Sequence, residues 1–226
     1  WDFDAAPLAE KANQDRQEFS QNASRGYSGT LYKTSAYLDA NPYGTVPAAF
    51  SPAGEIGVFE SNSIMRAVAR LAVDNKNLYG ASAYESSRID GFLDSMLLFA
   101  KDSQAYLLAL MNGILTNQIY NETEQSLHHW LTGTEQILTK DPYLSGPLSL
   151  ADICFACEIT LLKTEGYYTR ELNSLNKLPL IGVQTAKDFS KSMQHYEKLC
   201  DIPAFSADIK PFVDNIDGGL SPYKVT

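Results

Sequence analysis

The stretch that decides the fold is Asn-Pro-Tyr-Gly-Thr-Val-Pro, from Asn41 to Pro47, followed after a short apolar run by Val-Phe-Glu-Ser-Asn, from Val58 to Asn62. A proline at the entrance to a strand is often cis, because the cis form of an X-Pro bond costs only about 0.5–1 kcal/mol. A cis bond here would turn the backbone N–H and C=O of Val46 outward, where they can pair with an extended peptide as an added strand does. The first segment therefore predicts a backbone site for a peptide-like ligand.

The second segment lies where a short strand, Ile56–Phe59, gives way to an apolar-periodic helix. We predict that Ser61 is the N-cap of this helix. The N–H groups and dipole of a helix N-terminus favour a carboxylate, and Glu60 can accept a hydrogen bond from an ammonium group. Each segment alone also fits an ordinary turn and helix cap, but the pair together predicts a site for a zwitterionic α-amino acid end.

Together the two segments resemble the glutathione transferase superfamily. Its pattern of Asn-Pro-x-Gly-x-Val-Pro, then Glu-Ser and an apolar helix, is matched by Asn41 to Pro47 and by Glu60 to Leu71. Further along, Tyr143-Leu-Ser-Gly146 and Ser149-Leu-Ala-Asp152 resemble the capping box of the family's C-terminal helical domain, with Asp in place of the usual Glu or Gln. Residues 58–71 and 77–80 look most like the branch that contains the transferase-like domain of the elongation factor 1B gamma subunit.

The resemblance implies a glutathione transferase fold, with an α/β N-terminal thioredoxin-like domain over residues 1–75 and an all-α C-terminal domain over residues 82–226. Residues 1–29 match the family poorly. The hydrophobic pattern itself predicts a helix at 34–40, a hairpin of strands 48–51 and 56–59, and a helix at 61–73 with Ile64, Val68 and Leu71 on one face. Further helices are predicted at about 84–113, 121–139, 149–164 and 180–199, and irregular structure is predicted from Pro203 onward.

By resemblance, glutathione is the substrate: Val46 with Pro47 would hold its cysteinyl part, and Glu60 with Ser61 its γ-glutamyl part. The family activates the thiol with a hydroxyl, thiol or amide donor near the end of its first strand. The sequence does not identify this catalytic residue. The candidates in the first thirty positions are Asn13, Ser20, Ser24, Tyr27 and Ser28.

Composition and charge exclude several classes of protein. The formal net charge of −9, with no cluster of Lys and Arg, argues against nucleic acid as a partner. No apolar run approaches the roughly 18 residues that span a bilayer and no signal peptide opens the sequence, so we expect a cytoplasmic protein without membrane partners. The sequence opens at Trp1 rather than Met, which leaves open what precedes it.

Cysteine and histidine do not predict a metal or redox site. Cys154 and Cys157 are spaced Cys-x-x-Cys but fall inside an apolar helix, so we interpret both as small core residues. His128, His129 and His195 lack companion ligands at metal spacing, and no metal is predicted. A thioredoxin-like oxidoreductase is disfavoured because no cysteine precedes Cys154.

Two hypotheses remain. In the first, the protein binds glutathione and conjugates its thiol to a hydrophobic electrophile. In the second, it is a non-catalytic, transferase-like scaffold or assembly module of a larger complex. By resemblance, we expect a homodimer or a subunit of a protein complex.

Overall fold

The computed structural model describes residues 20–22, 30–32, 35–72 and 77–217. The chain divides into two compact units, residues 1–73 and residues 74–226. In the described residues no helix combines the length and the apolar character needed to cross a membrane.

The first unit contains two antiparallel strand pairs. Strands β1 (Ser20–Asn22) and β2 (Thr30–Tyr32) form one pair, and β3 (Ala48–Phe50) and β4 (Gly57–Phe59) form the other, as predicted. A short helix, α1 (Ser35–Ala40), precedes β3. Helix α2 (Ser61–Leu71) follows β4 directly. The predicted hairpin and both predicted helices of this unit are therefore confirmed, with slightly shorter bounds.

The apolar face predicted for α2 is not part of the core. Val68 and Leu71 are 62% and 80% exposed, and only Asn62 is buried on this helix. The period of three to four residues places these side chains on one face, but periodicity alone does not say what covers that face.

The second unit is helical. Its long helices are α3 (Ala83–Met111), α4 (Asn117–Leu138) and α5 (Leu150–Leu162). A 3₁₀ segment (Lys163–Tyr168) then leads into α6 (Thr169–Ser174), α7 (Val183–Asp188), α8 (Ser190–Cys200) and α9 (Pro203–Asp217). The core lies between α3, α4 and α5, where Phe99 stacks on Trp130 with ring centroids 4.7 Å apart and Phe155 is fully buried.

The predicted capping box at the start of α5 is confirmed. The Ser149 hydroxyl accepts from the first turn of the helix, and the Asp152 carboxylate accepts from the Ser149 N–H at 2.9 Å. Asp152 also accepts from the Leu144 N–H at 3.0 Å and is fully buried. The shorter Asp side chain thus serves where a capping box more often has Glu or Gln.

The helix predicted over 180–199 is interrupted. Phe189, with φ −126° and ψ 53°, separates α7 from α8, and its buried ring packs edge-on against His128. The N-terminus of α8 is capped from α4 instead: the Glu135 carboxylate accepts from the Lys191 and Ser192 N–H groups at 2.9 and 2.8 Å. A cap supplied from another helix leaves no local signal in the sequence, which explains why the break was not predicted.

The irregular tail predicted from Pro203 is wrong up to Asp217, because this segment forms α9. Pro203 stands in the first turn, where the missing N–H has no helical acceptor to lose. Pro211 removes one hydrogen bond inside the helix. Ile209 and Ile216 are nevertheless buried, and their packing compensates for the proline.

Candidate functional site

The 41–47 loop presents Val46 at the surface. The Val46–Pro47 peptide bond is cis, as the position of the proline favours. The Val46 side chain is 66% exposed. Within the described residues, no hydrogen bond engages the Val46 N–H or C=O. Both backbone groups are thus available to an extended ligand.

Two side chains to which the sequence analysis assigned no role hold this loop. Asn41 is fully buried, and its Nδ2 donates to the Thr45 carbonyl at 2.9 Å. The Tyr37 hydroxyl donates to the same carbonyl and also accepts from Asn41 Nδ2 at 3.3 Å. We call these two donors on one carbonyl the Thr45 clamp. The available signal was a Tyr one helical turn before the Asn-Pro pair, at the end of a predicted helix.

Gly57 allows β4 to pack against the end of α1, the helix that directly precedes Asn41. A Cβ atom at Gly57 would lie 2.1 Å from the Ala40 carbonyl oxygen, so only glycine allows β4 to approach the end of α1 this closely. Tyr37 packs on Phe50 of β3, with ring centroids 5.6 Å apart. Helix α1, which leads into the loop, is therefore packed closely against the hairpin.

The start of α2 differs from the prediction in one respect. Ser61 is the first helical residue and not the N-cap, which is Glu60. Glu60 has φ 69° and ψ 129°, and its carbonyl accepts from the Ile64 N–H at 3.0 Å. This positive φ turns the chain into the helix one residue earlier than expected. The Ser61 N–H therefore lies in the first turn, where it has no intrahelical acceptor.

The hairpin register brings the two predicted segments together. Ala48 pairs with Phe59, so Pro47 and Glu60 each lie one residue beyond the last pair, at the same end of the hairpin. Paired strands are about 5 Å apart, which places the 46–47 backbone next to the start of α2. The exposed Glu60 carboxylate and the partial positive charge of the helix N-terminus lie side by side at this end. The arrangement can bind an extended peptide that carries both an ammonium group and a carboxylate.

Of the five candidates for activating the thiol, the structure describes one. Ser20 is the first residue of β1. Asn13, Ser24, Tyr27 and Ser28 lie outside the described residues.

The cysteines of α5 have different environments. Cys154 is buried, but Cys157 is exposed, so its interpretation as a core residue was wrong. Its side chain lies on the outer face of the helix, where local desolvation, with the carboxylates of Glu158 and Asp208, nevertheless raises the pKa of the thiol. Among the side chains that the structure describes, no group of three His, Cys, Asp or Glu is arranged to hold a metal ion.

Buried polar side chains organise the second unit. His195, to which the sequence assigned no role, is buried with its Nε2 2.9 Å from Asp152 Oδ1, and so joins α8 to the capping box. The buried Glu165 accepts from the Tyr106 hydroxyl at 2.6 Å and from the Leu180 and Ile181 N–H groups. Burial raises the pKa of Glu165, while these hydrogen bonds oppose the shift. These groups stabilise the helical unit.

Comparison with known proteins gives relatives of two kinds, although no family model matches the chain. It is 34% identical over 139 residues to probable elongation factor 1-gamma 1 of Arabidopsis thaliana, covering 59% of this chain and 32% of that protein. It is 29% identical over 136 residues to glutathione S-transferase F9 of the same plant, covering 54% of this chain and 60% of that protein. The chain thus spans about a third of the length of the elongation factor relatives it matches.

Solved structures share the fold. A delta-class glutathione transferase of Nilaparvata lugens superposes with a TM-score of 0.60 at 17% identity, covering 83% of this chain and 79% of that one. Glutathione transferase F2 of Populus trichocarpa gives a TM-score of 0.59 at 22% identity, covering 82% and 81%. The chain is thus similar in sequence to elongation factor 1-gamma and to a glutathione S-transferase, and it shares the fold of solved glutathione transferases.

Proposed function

We propose that the protein binds glutathione at the open end of the β3–β4 hairpin and conjugates its thiol to a hydrophobic electrophile. The observation that supports this most is the register that places Pro47 beside Glu60. The Val46 N–H and C=O would pair with the cysteinyl residue. The Ser61 N–H and hydroxyl would both bind the γ-glutamyl carboxylate, and Glu60 would accept from the γ-glutamyl ammonium group.

The proposed reaction is a nucleophilic attack by sulfur. The glutathione thiol loses its proton, and the thiolate attacks an electrophilic carbon to form a C–S bond while a leaving group departs with its electron pair. Positive potential near the sulfur stabilises the thiolate and lowers the pKa of the thiol. In this proposal the α2 N-terminus binds the γ-glutamyl end of the tripeptide, whereas the thiol is on the central cysteinyl residue, so the thiol needs a separate donor from the N-terminal residues.

The wider organisation forms part of the same proposal. Residues 1–75 act as a thioredoxin-like, glutathione-binding domain, and residues 82–226 act as the all-helical domain that takes the hydrophobic co-substrate. The protein works in the cytoplasm as a homodimer or as a subunit of a protein complex. Similarity to a glutathione S-transferase and to transferase structures supports this organisation.

The alternative is a non-catalytic module that uses the same fold to assemble a larger complex. Similarity to elongation factor 1-gamma sequences of Arabidopsis thaliana and Oryza sativa favours it. In this alternative the chain corresponds to one part of a longer protein, and the 46–61 site is not used for conjugation.

Calorimetry with glutathione tests the site, with Ser61→Ala and Ser63→Ala as a matched pair from the first turn of α2. We expect micromolar to low-millimolar binding that Ser61→Ala weakens by about 1 kcal/mol, the scale of a lost hydrogen bond to a charged group, and that Ser63→Ala leaves unchanged. A spectrophotometric assay with an aryl chloride then measures conjugation. Binding without turnover would support the assembly module, and the absence of binding to the wild-type protein would overturn the proposed site.

A further inference from the structure

The Thr45 clamp occupies an unusual place in the site because it acts on the peptide group next to Val46. The Thr45 carbonyl accepts from both Tyr37 and Asn41, so both of its lone pairs are used. The clamp side chains are 5% and 0% exposed. The two donors are therefore shielded from solvent, and hydrogen bonds in such surroundings are stronger than those at the surface.

Peptide geometry transmits this constraint to Val46. The Thr45 C=O and the Val46 N–H belong to one planar trans peptide group, so they point in opposite directions. When the clamp holds the carbonyl toward the buried side, the Val46 N–H must point away from it, toward the exposed side of the loop. The N–H that the proposed ligand needs is thus oriented before the ligand arrives, and the cost of ordering it on binding is reduced.

The chemistry of the Asn41 amide supports a specific donor role. Its Nδ2 donates to the Thr45 carbonyl and to the Tyr37 hydroxyl, while its Oδ1 has no hydrogen-bond partner among the described residues. An aspartate at this position would place an acceptor against the Thr45 carbonyl. The backbone supports the same arrangement, since the Gly44 N–H donates to the Asn41 carbonyl at 2.8 Å.

We propose that Tyr37 and Asn41 are positioning residues that fix the Thr45–Val46 peptide plane and thereby set the affinity of the site for glutathione. The effect on affinity rests on the proposed function, whereas the orientation of the Val46 N–H does not. Neither side chain touches the ligand in this proposal. Both act through the backbone.

Tyr37→Phe is the cleanest test because it removes one hydroxyl and keeps the ring on Phe50. Tyr120→Phe is the matched control, since the Tyr120 hydroxyl also donates to a backbone carbonyl, that of Leu178, at 2.8 Å in the helical unit. Asn41→Asp is a second variant, which replaces the amide donor to the Thr45 carbonyl with a carboxylate that can only accept. It places a charge at a fully buried position, so its folding is checked by circular dichroism before it is used.

Two measurements are made on the full chain: the ¹⁵N–¹H resonance and hydrogen exchange of the Val46 amide, and glutathione binding by calorimetry. We expect Tyr37→Phe to shift the Val46 resonance, change its exchange rate and weaken binding about fivefold. Tyr120→Phe should leave both readouts unchanged while lowering stability by a similar amount. An unchanged Val46 amide, or equal affinity in Tyr37→Phe and the wild-type protein, would overturn the proposal.

The outcomes also separate this proposal from the proposed function. If the wild-type protein binds no glutathione but Tyr37→Phe shifts the Val46 amide, the orienting role of the clamp is supported and the glutathione site is overturned. If glutathione binds, and Tyr37→Phe binds it as tightly as the wild-type protein does, the site stands and the positioning role is overturned.

Discussion

At the scale of single residues, Glu60 has a strained backbone conformation and is also part of the proposed glutathione site. A side chain at φ 69° and ψ 129° lies outside the regions that non-glycine residues favour, at a cost on the order of 1–3 kcal/mol. The surrounding hairpin and helix hold it there, because the chain must turn directly from β4 into α2. Because of this backbone conformation, the Glu60 carboxylate lies next to the N-terminus of α2.

Replacing Glu60 tests this account. We expect Glu60→Gly to relieve the strain and raise stability by up to about 1 kcal/mol, since glycine tolerates positive φ but loses more chain entropy on folding. Glu60→Ala keeps the Cβ atom and should show no such gain. Urea unfolding of the three proteins measures the difference, and a glycine variant no more stable than the alanine variant would argue against strain at this position.

Glu158 on α5 predicts a pH dependence of stability. Desolvation raises the pKa of its carboxyl group from 4.5 to about 7 in the folded protein. Between these values the folded state keeps a proton that the unfolded state has released, so this group makes stability fall as pH rises from about 4.5 to 7 and level off above. Glu158→Gln should therefore be more stable than the wild-type protein at pH 8, by on the order of 2 kcal/mol, with the difference vanishing near pH 4.5.

Urea unfolding of wild type and Glu158→Gln across this pH range measures the effect. Glu124→Gln, at an exposed position on α4, is the matched control. A stability difference for Glu158→Gln that is the same at pH 4.5 and pH 8 would contradict the assignment.

At the scale of elements, the helical unit depends on carboxylates that cap or join helices. Glu135 of α4 caps α8, Asp152 closes the capping box of α5, and Glu165 holds the backbone at Leu180 and Ile181. Each satisfies N–H groups that would otherwise lack a partner at a helix end or in a buried loop. These contacts fix where one helix stops and how the next begins.

Asp152→Ala tests the capping box directly. It would leave the buried N–H groups of Leu144 and Ser149 and the ring of His195 without their acceptor, so we expect a loss of about 3 kcal/mol in the free energy of unfolding. Asp141→Ala, at an exposed position after α4, should change stability by less than about 0.5 kcal/mol. Chemical denaturation measures both. Similar effects in the two variants would show that the buried network contributes little.

At the scale of the whole molecule, the two units differ in how much apolar surface they bury. Among residues 37–72, the part of the first unit whose side-chain exposure the structure describes, Tyr37 is the single buried apolar side chain. Where side-chain exposure is described, the large side chains that are fully buried, such as Tyr106, Phe99 and Phe155, all belong to the helical unit. Small units with little buried apolar area are marginally stable, so we expect the first unit to be the less stable of the two.

Hydrogen exchange resolved by peptide checks this difference. We expect β3 and β4 amides to exchange through an opening that costs less free energy than the opening of α3 and α5. If glutathione binds at the proposed site, a concentration of about 100 times its dissociation constant should raise the free energy of opening in the first unit by up to about 2.7 kcal/mol and leave that of the helical unit unchanged. Equal protection of both units in the free protein would contradict the expectation.

The sequence by itself determined the local features: the hairpin at 48–59, the long helices, the cis bond before Pro47 and the Ser149–Asp152 capping box, because each depends on residues close together in the chain. It also placed Val46, Pro47, Glu60 and Ser61 in two segments that the hairpin register brings side by side. Only the tertiary structure decided the clamp on Thr45, the positive φ of Glu60, the break at Phe189 and the helical tail from Pro203. In these cases the outcome was set by burial and by hydrogen bonds from partners elsewhere in the fold, which local propensity and spacing do not encode.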